Sequence, residues 1–404
     1  MRFIERVPHG HRPVAAGSLL TAALLVTTAC TDSSTVSSAA AGRSGPAKPA
    51  NAQVSITPSN GSAKVRPDRG VLVKAAGGTL NTVRVTSSGK TVPGDFNTAR
   101  TERRSKWPLA PSKSYAVTAT AKNPSGAVTQ AASSFKTLTP DQTISASLDW
   151  ILEGNRGDTY GVGMPIILNF SRPVFNKDQV EEALEVTAEK PVEGAWRWIG
   201  DQQVVYRTKT YWPAHQKVKL TAHLAGVRAA KGVYGLTNFN RTFEIGASRI
   251  SKINLKTHKM TVRIDGKKSR TVPISAGNGT TTEYTTTSGV HLTMEKGNPV
   301  RMISPGRQKG DPGYYDLLIN YAVRISNSGE YLHQTAGELH CLGKANCSHG
   351  CVRQPVKDAL WFYRNVQPGD VVDITGSKRG LDWQNGWSFW ELSWKNWKKG
   401  SALS

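Results

Sequence analysis

From about residue 52 the chain alternates apolar and polar residues with a period of two in short runs, each interrupted by Gly, Asn or Pro. Val71-Leu72-Val73-Lys74 and Tyr115-Ala116-Val117-Thr118-Ala119-Thr120 are two such runs. Successive side chains of a strand point to opposite faces, so this pattern describes half-buried strands. Turn residues recur roughly every 8–12 positions, the spacing of a sandwich of immunoglobulin size. The first such unit spans 52–140 and ends at Thr139-Pro140, and no long amphipathic helix precedes about residue 177.

A second β-rich unit is expected over 143–247. It has one short helix, Asp178 to Leu184, with Asn176 as its cap, and a strand around Trp196 to Trp198. A third unit, 248–375, begins with alternating strands such as Lys259 to Ile264. Its one convincing helix is Pro355 to Asn365, where Val356, Ala359, Leu360 and Phe362-Tyr363 recur at helical spacing. The tail 376–404 carries Trp383, Trp387, Trp390, Trp394 and Trp397, spacings that suggest one apolar stripe packed on the third unit. The fold class expected is mainly β: two immunoglobulin-like sandwiches, a third β-rich unit with one or two helices, and a Trp-rich extension.

Lys and Arg number 52 against 29 Asp and Glu, a net charge of +23 that points to polyanionic partners: nucleic acid, anionic lipid or wall polymer. The first 29 residues narrow that choice. Arg2, Arg6 and Arg12 precede an apolar run from Val14 to Val26, too short to span a bilayer comfortably and suited to an export signal. The run ends in Leu-Val-Thr-Thr-Ala-Cys, which resembles a bacterial lipobox with Cys30 as the lipidated residue; an ordinary cleaved signal is the alternative. Residues 30–51 are rich in Ser, Thr, Ala, Gly and Pro, a flexible linker. An exported chain meets little nucleic acid, so anionic wall polymer and, through Cys30, the outer face of the membrane become the expected partners. The basic surface of the first unit, including Arg100, Arg103, Arg104 and Lys106, is either a solvated face or a non-specific wall contact.

All three cysteines beyond Cys30 fall in His340-Cys341-Leu342-Gly343-Lys344-Ala345-Asn346-Cys347-Ser348-His349-Gly350-Cys351, with His333 upstream. A zinc site would lack the paired C-x2–4-C knuckles of structural centres. A purely structural disulfide cluster leaves one of three thiols unpaired. The third reading is a thiol nucleophile with a histidine base. Cys351 is expected at a loop-to-helix junction, where a helix N-terminus lowers a thiol pKa and free N–H groups can hold an oxyanion; Gly350 permits the tight turn. No cofactor or metal is required.

His333, fourteen intervening residues and Ser348-His349-Gly350-Cys351-Val352-Arg353 resemble the signature of the YkuD-type L,D-transpeptidases. The order of export signal, two immunoglobulin-like domains, catalytic domain and Trp-rich tail is similar to that of the large actinobacterial members. The resemblance implies Cys351 as nucleophile, His333 as base, and the backbone of His349, Gly350 and Cys351 as oxyanion hole. It places Tyr315, or Tyr314 if the loop aligns one residue differently, in the substrate pocket with Ser348. Two positions depart from the pattern. Gln334 follows the base where relatives often have Ser, leaving the group that orients the imidazole open. Arg353 stands where Asn is commoner, and either holds a substrate carboxylate or pairs locally. Given Cys351 as nucleophile, only a Cys341–Cys347 disulfide leaves it free, and export permits one.

The implied reaction cuts a peptidoglycan tetrapeptide stem after its third residue, releases D-alanine, and makes a 3→3 cross-link through a thioester. Carbapenems are the implied inhibitors. An L,D-carboxypeptidase at the same site, or a lipid-anchored wall-binding protein with an inactive catalytic domain, are the alternatives.

Overall fold

A computed structural model describes residues 50–148, 159–304, 306–335 and 337–404. The expected export signal, Cys30 and the linker up to residue 49 lie outside the described residues.

The alternating runs of the first unit form two four-stranded sheets. One has the order Gln53–Thr57, Leu72–Ala76, Glu102–Ser105, Gly94–Phe96; the other Lys90–Thr91, Thr79–Ser87, Ser114–Lys122, Val128–Lys136. Tyr115, Val117, Ala119 and Ala121 point inward from one strand, meeting Val71, Val73 and Leu80 in a core of their own. The period of two therefore sets the buried face directly.

A second sandwich follows. Ala146–Leu148, Ile166–Phe170, Gln203–Thr208 and Gly194–Ile199 form one sheet; Thr159–Tyr160, Phe239–Ile245, Gln216–Ala222 and Leu184–Ala188 form the other. Helix α1 spans Lys177–Glu182, shorter than expected because Leu184 already pairs with Ala222 as a strand. Asn176 takes the N-cap position but does not cap: its side-chain amide donates to Arg228 O at 3.0 Å, tying the helix to the strand Arg228–Ala230.

The third unit has two sheets around one core. The five-stranded sheet runs Lys267–Pro273, Lys259–Ile264, Arg249–Asn254, Val371–Thr375, Gly289–Leu292. The four-stranded sheet runs Lys296–Gly297, Ala322–Arg324, Tyr331–Thr335, Val352–Pro355, its last two strands parallel. Helix α2, Val356–Asn365, buries Ala359 and Phe362 against the core with Leu332 and Val352; Val356 lies outside that face at 44% exposure. The short helix α3, Trp394–Lys398, starts at Ser393, whose side chain accepts from the Asn396 N–H.

The Trp stripe packs on the third unit, as expected, but also on the second sandwich, which was not expected. Indole N–H groups of Trp390, Trp394 and Trp397 donate to Gly163 O (2.9 Å), Glu193 Oε1 (3.1 Å) and Ala195 O (2.9 Å), all in the second sandwich. Arg207 places its guanidinium 4.8 Å from both the Trp390 and Trp397 rings, and Arg197 lies 4.8 Å from Trp383. Spacing predicts a stripe but not its partner; here two strand arginines supply cations for the ring faces. Residues Leu292 and Val371 join the same core, so the tail cements the second sandwich to the edge of the third unit. Trp397 is fully buried, and Trp397→Ala is expected to cost about 3–5 kcal/mol, read as a lower urea midpoint. A midpoint equal to that of the parent would remove the tail from the stability account.

Candidate active site

The fold brings Cys351 and His333 to one cavity by parallel strand pairing. His333 lies in Tyr331–Thr335 opposite Arg353, and Cys351 immediately precedes the paired strand Val352–Pro355. That strand is a correction to the sequence reading, since Cys351 does not sit at a helix start; α2 begins only at Val356. The thiol therefore lacks a helix N-terminus to favour its ionised form. Burial instead pushes Cys351 up to about 12, aided by the nearby Glu330 carboxylate and opposed by a backbone hydrogen bond at Tyr331. The Cys351 thiol contacts Gly329 O at 3.7 Å.

His333 is 5% exposed, and its Nδ1 lies 2.6 Å from Gln334 O. A carbonyl can only accept, so Nδ1 carries the proton and Nε2 is left as the acceptor. The group holding the imidazole is thus the backbone carbonyl of Gln334. Burial, helped by the Arg353 cation, pushes His333 down to about 4 despite the Gln334 bond. Both shifts favour a neutral thiol–imidazole pair over a thiolate–imidazolium pair near pH 7.

The turn before Cys351 is held from several sides. Ser348 is buried, donates to Cys351 O at 2.6 Å, and accepts from the Gly350 N–H at 3.1 Å. Ser348 therefore fixes the turn rather than offering a free hydroxyl to a ligand. Thr286 Oγ1 donates to Gly350 O at 2.7 Å. Gly350 has φ 128°, a value that L side chains rarely adopt, so glycine is required here. The Gly350 N–H donates within the turn, to Ser348 Oγ. Among the described residues the N–H groups of His349 and Cys351 have no protein acceptor.

Tyr315, not Tyr314, lines the cavity; its ring lies 5.2 Å from that of His349. Tyr314 closes a turn through its N–H to Asp311 O. Burial, helped by the Glu283 carboxylate, raises the Tyr315 phenol above its ordinary pKa. Arg353 also lines the cavity but pairs with Glu338, so the local pairing is the one present. Cys341 and Cys347 are joined by a disulfide with Cα atoms 6.3 Å apart, and Cys351 is a free thiol.

Sequence reasoning missed the network behind the thiol. Glu330 is 5% exposed and accepts from Thr287 N (2.8 Å) and Thr287 Oγ1 (2.8 Å to Oε2), with the fully buried His291 3.8 Å away. Burial raises the Glu330 pKa, but His291 and the Thr287 donors outweigh it and hold the carboxyl below its usual range. The available signal was an acid at the head of the apolar run Tyr331-Leu332; its partners, forty residues earlier, are not adjacent in sequence. The cavity has a volume of about 800 Å³, ample for a peptide segment, and its mouth carries apolar Met302, Leu317 and Leu318.

The bacterial Ig domain family matches residues 62–228, running across both sandwiches, and the L,D-transpeptidase catalytic domain family matches residues 248–374. L,D-transpeptidase 5 of Mycobacterium tuberculosis is 31% identical over 358 residues, covering 87% of this chain and 77% of that protein. L,D-transpeptidase 2 of the same organism is 28% identical, covering 85% and 83%. Among solved structures, an L,D-transpeptidase in complex with imipenem has a TM-score of 0.49 at 26% identity, covering 58% of this chain and all of that one. L,D-transpeptidase 3 of M. tuberculosis with a faropenem-derived adduct has a TM-score of 0.47 at 28% identity, covering 58% and 98%. The family matches define a modular enzyme, an immunoglobulin-like region followed by a catalytic domain. The chain belongs to the L,D-transpeptidase family.

Proposed function

We propose that this chain cross-links peptidoglycan stem peptides by acyl transfer through Cys351, with His333 as base. The observation that carries the reading is a free, partly exposed thiol on a turn with two N–H groups that have no acceptor among the described residues, in one cavity with a histidine whose Nδ1 is fixed by a backbone carbonyl.

The donor is a tetrapeptide stem. Cys351 Sγ attacks the carbonyl of its third residue while the thiol proton passes to His333 Nε2. The oxyanion formed is held by the His349 and Cys351 N–H groups, which a helix-free turn leaves unpaired. Collapse breaks the bond to the terminal D-alanine, which leaves with the proton from His333, and a thioester remains. The side-chain amine of a second stem then attacks the thioester, its proton goes to His333, and the thiol is restored with a 3→3 bond formed. Tyr315 lines the donor's path. Anchoring through a lipidated Cys30 and contact of the basic first sandwich with anionic wall polymer complete the reading, and carbapenems are acyl-donor mimics expected to occupy the same thiol.

A neutral pair has a pH signature. The base must be unprotonated, so activity is lost as pH falls through about 4, not through the ordinary histidine range near 6.5. The free thiol ionises only far into alkali, so the rate of iodoacetamide alkylation of Cys351 should keep rising about tenfold per pH unit up to pH 9. An alkylation plateau reached by pH 7 would mean a thiolate–imidazolium pair and overturn this account of activation.

A further inference from the structure

Arg379 lies in the C-terminal extension and yet lines the cavity that holds Cys351. Its place is fixed by the backbone. Ser288 N donates to Arg379 O at 2.8 Å, Ser377 N to Ser288 Oγ at 2.9 Å, and Arg379 N to Ser377 Oγ at 3.0 Å. Ser288 follows directly on Thr286 and Thr287, which hold Gly350 O and Glu330, so the segment bearing Arg379 and the turn bearing the thiol share one anchor.

The guanidinium is fixed as well. Nη1 donates to Thr282 O at 3.0 Å and to Thr285 O at 2.9 Å, which occupies both of its hydrogens. Nε and Nη2 have no acceptor among the described residues, and the side chain is only half-buried. That remaining edge is the planar two-donor fork that matches a carboxylate.

The charges around it leave this cation uncompensated. Three carboxylates line the cavity, and each is engaged elsewhere: Glu283 by Arg307 through two 2.8 Å bonds, Glu338 by Arg353, and Glu330 by Thr287 beside His291. Arg353, the other lining arginine, has its acid; among the described residues Arg379 has only neutral carbonyls.

We infer that Arg379 forms a carboxylate-binding subsite of the cavity, receiving a carboxylate of the donor stem on its free Nε–Nη2 edge. The ligand class rests on the wall-peptide reading above; the open cationic edge does not. The role that sequence offered to Arg353 thus falls to a residue of the tail, and the tail becomes part of the substrate site.

The test uses the full folded chain and two peptides: a stem tetrapeptide with free carboxylates, and the same peptide with every carboxylate converted to a carboxamide. Binding is measured by titration calorimetry in the Cys351→Ala background, and D-alanine release with Cys351 intact. The acid peptide should bind about 10–100-fold more tightly than the amide, as a charge-assisted fork implies. Arg379→Gln should erase that preference while leaving amide binding unchanged, and Arg379→Lys should restore part of it. Equal binding of the two peptides by the parent, or equal weakening of both by Arg379→Gln, would overturn the subsite. A retained acid preference with no release of D-alanine from the acid peptide or of D-alaninamide from the amide peptide would uphold the subsite and instead remove the acyl-transfer reading.

Discussion

Cys351→Ala is expected to abolish D-alanine release and stem joining, a loss on the order of 10⁶-fold if it matches removal of a nucleophile elsewhere. The expectation follows from the thiol inventory: Cys341 and Cys347 are bonded to each other, so no other described thiol can replace Cys351. The fold should survive the change. The turn is held through Ser348 Oγ to the Cys351 carbonyl and Thr286 to the Gly350 carbonyl, bonds that alanine at 351 retains. The urea midpoint should therefore stay within the range of ordinary surface substitutions, about ±0.5 kcal/mol. The parent should gain the mass of one carbapenem on incubation, with the adduct mapped to the Cys351 peptide, and the variant should gain none. Retained turnover in Cys351→Ala, or an adduct on another residue, would move the chemistry elsewhere.

His333→Ala should lower kcat by about 10²–10⁴-fold, the usual contribution of a positioned base. His349→Gln should lose far less. The two histidines are distinguished by their surroundings rather than by their distance along the chain from Cys351. His333 is buried and held at Nδ1 by Gln334 O, whereas the His349 side chain is exposed and packs edge-on against Tyr284, ring centroids 4.6 Å apart. In the proposed mechanism His349 acts through its backbone N–H, which glutamine keeps. A larger loss for His349→Gln than for His333→Ala, measured as single-turnover rates, would exchange the two roles.

Features carried by neighbouring residues were legible in the sequence. Period-two alternation placed the strand at Tyr115 to Thr120, and apolar spacing placed α2 within one residue of its start. Features that depend on distant pairing were not. Val352–Pro355 reads locally as the lead-in to a helix, but pairing with Tyr331–Thr335 makes it a strand and removes the helix terminus from the thiol. The tryptophan spacing marked a stripe, while its partners Arg197 and Arg207 lie almost two hundred residues away. Glu330, Thr287 and His291 are individually unremarkable, and only the fold buries them together behind Cys351. Arg379 was hidden for the same reason, its two anchoring carbonyls coming from a loop about ninety residues earlier.

The central claim is transfer of an acyl group from one stem to the amine of another. Incubating the soluble chain with purified disaccharide-tetrapeptide and weighing the products tests it directly. The account predicts a dimer whose mass is that of two tetrapeptide units less one D-alanine, with tandem fragmentation placing the new bond between the two third residues. Accumulation only of the tripeptide product and free D-alanine, with no dimer at any acceptor concentration, would contradict transfer.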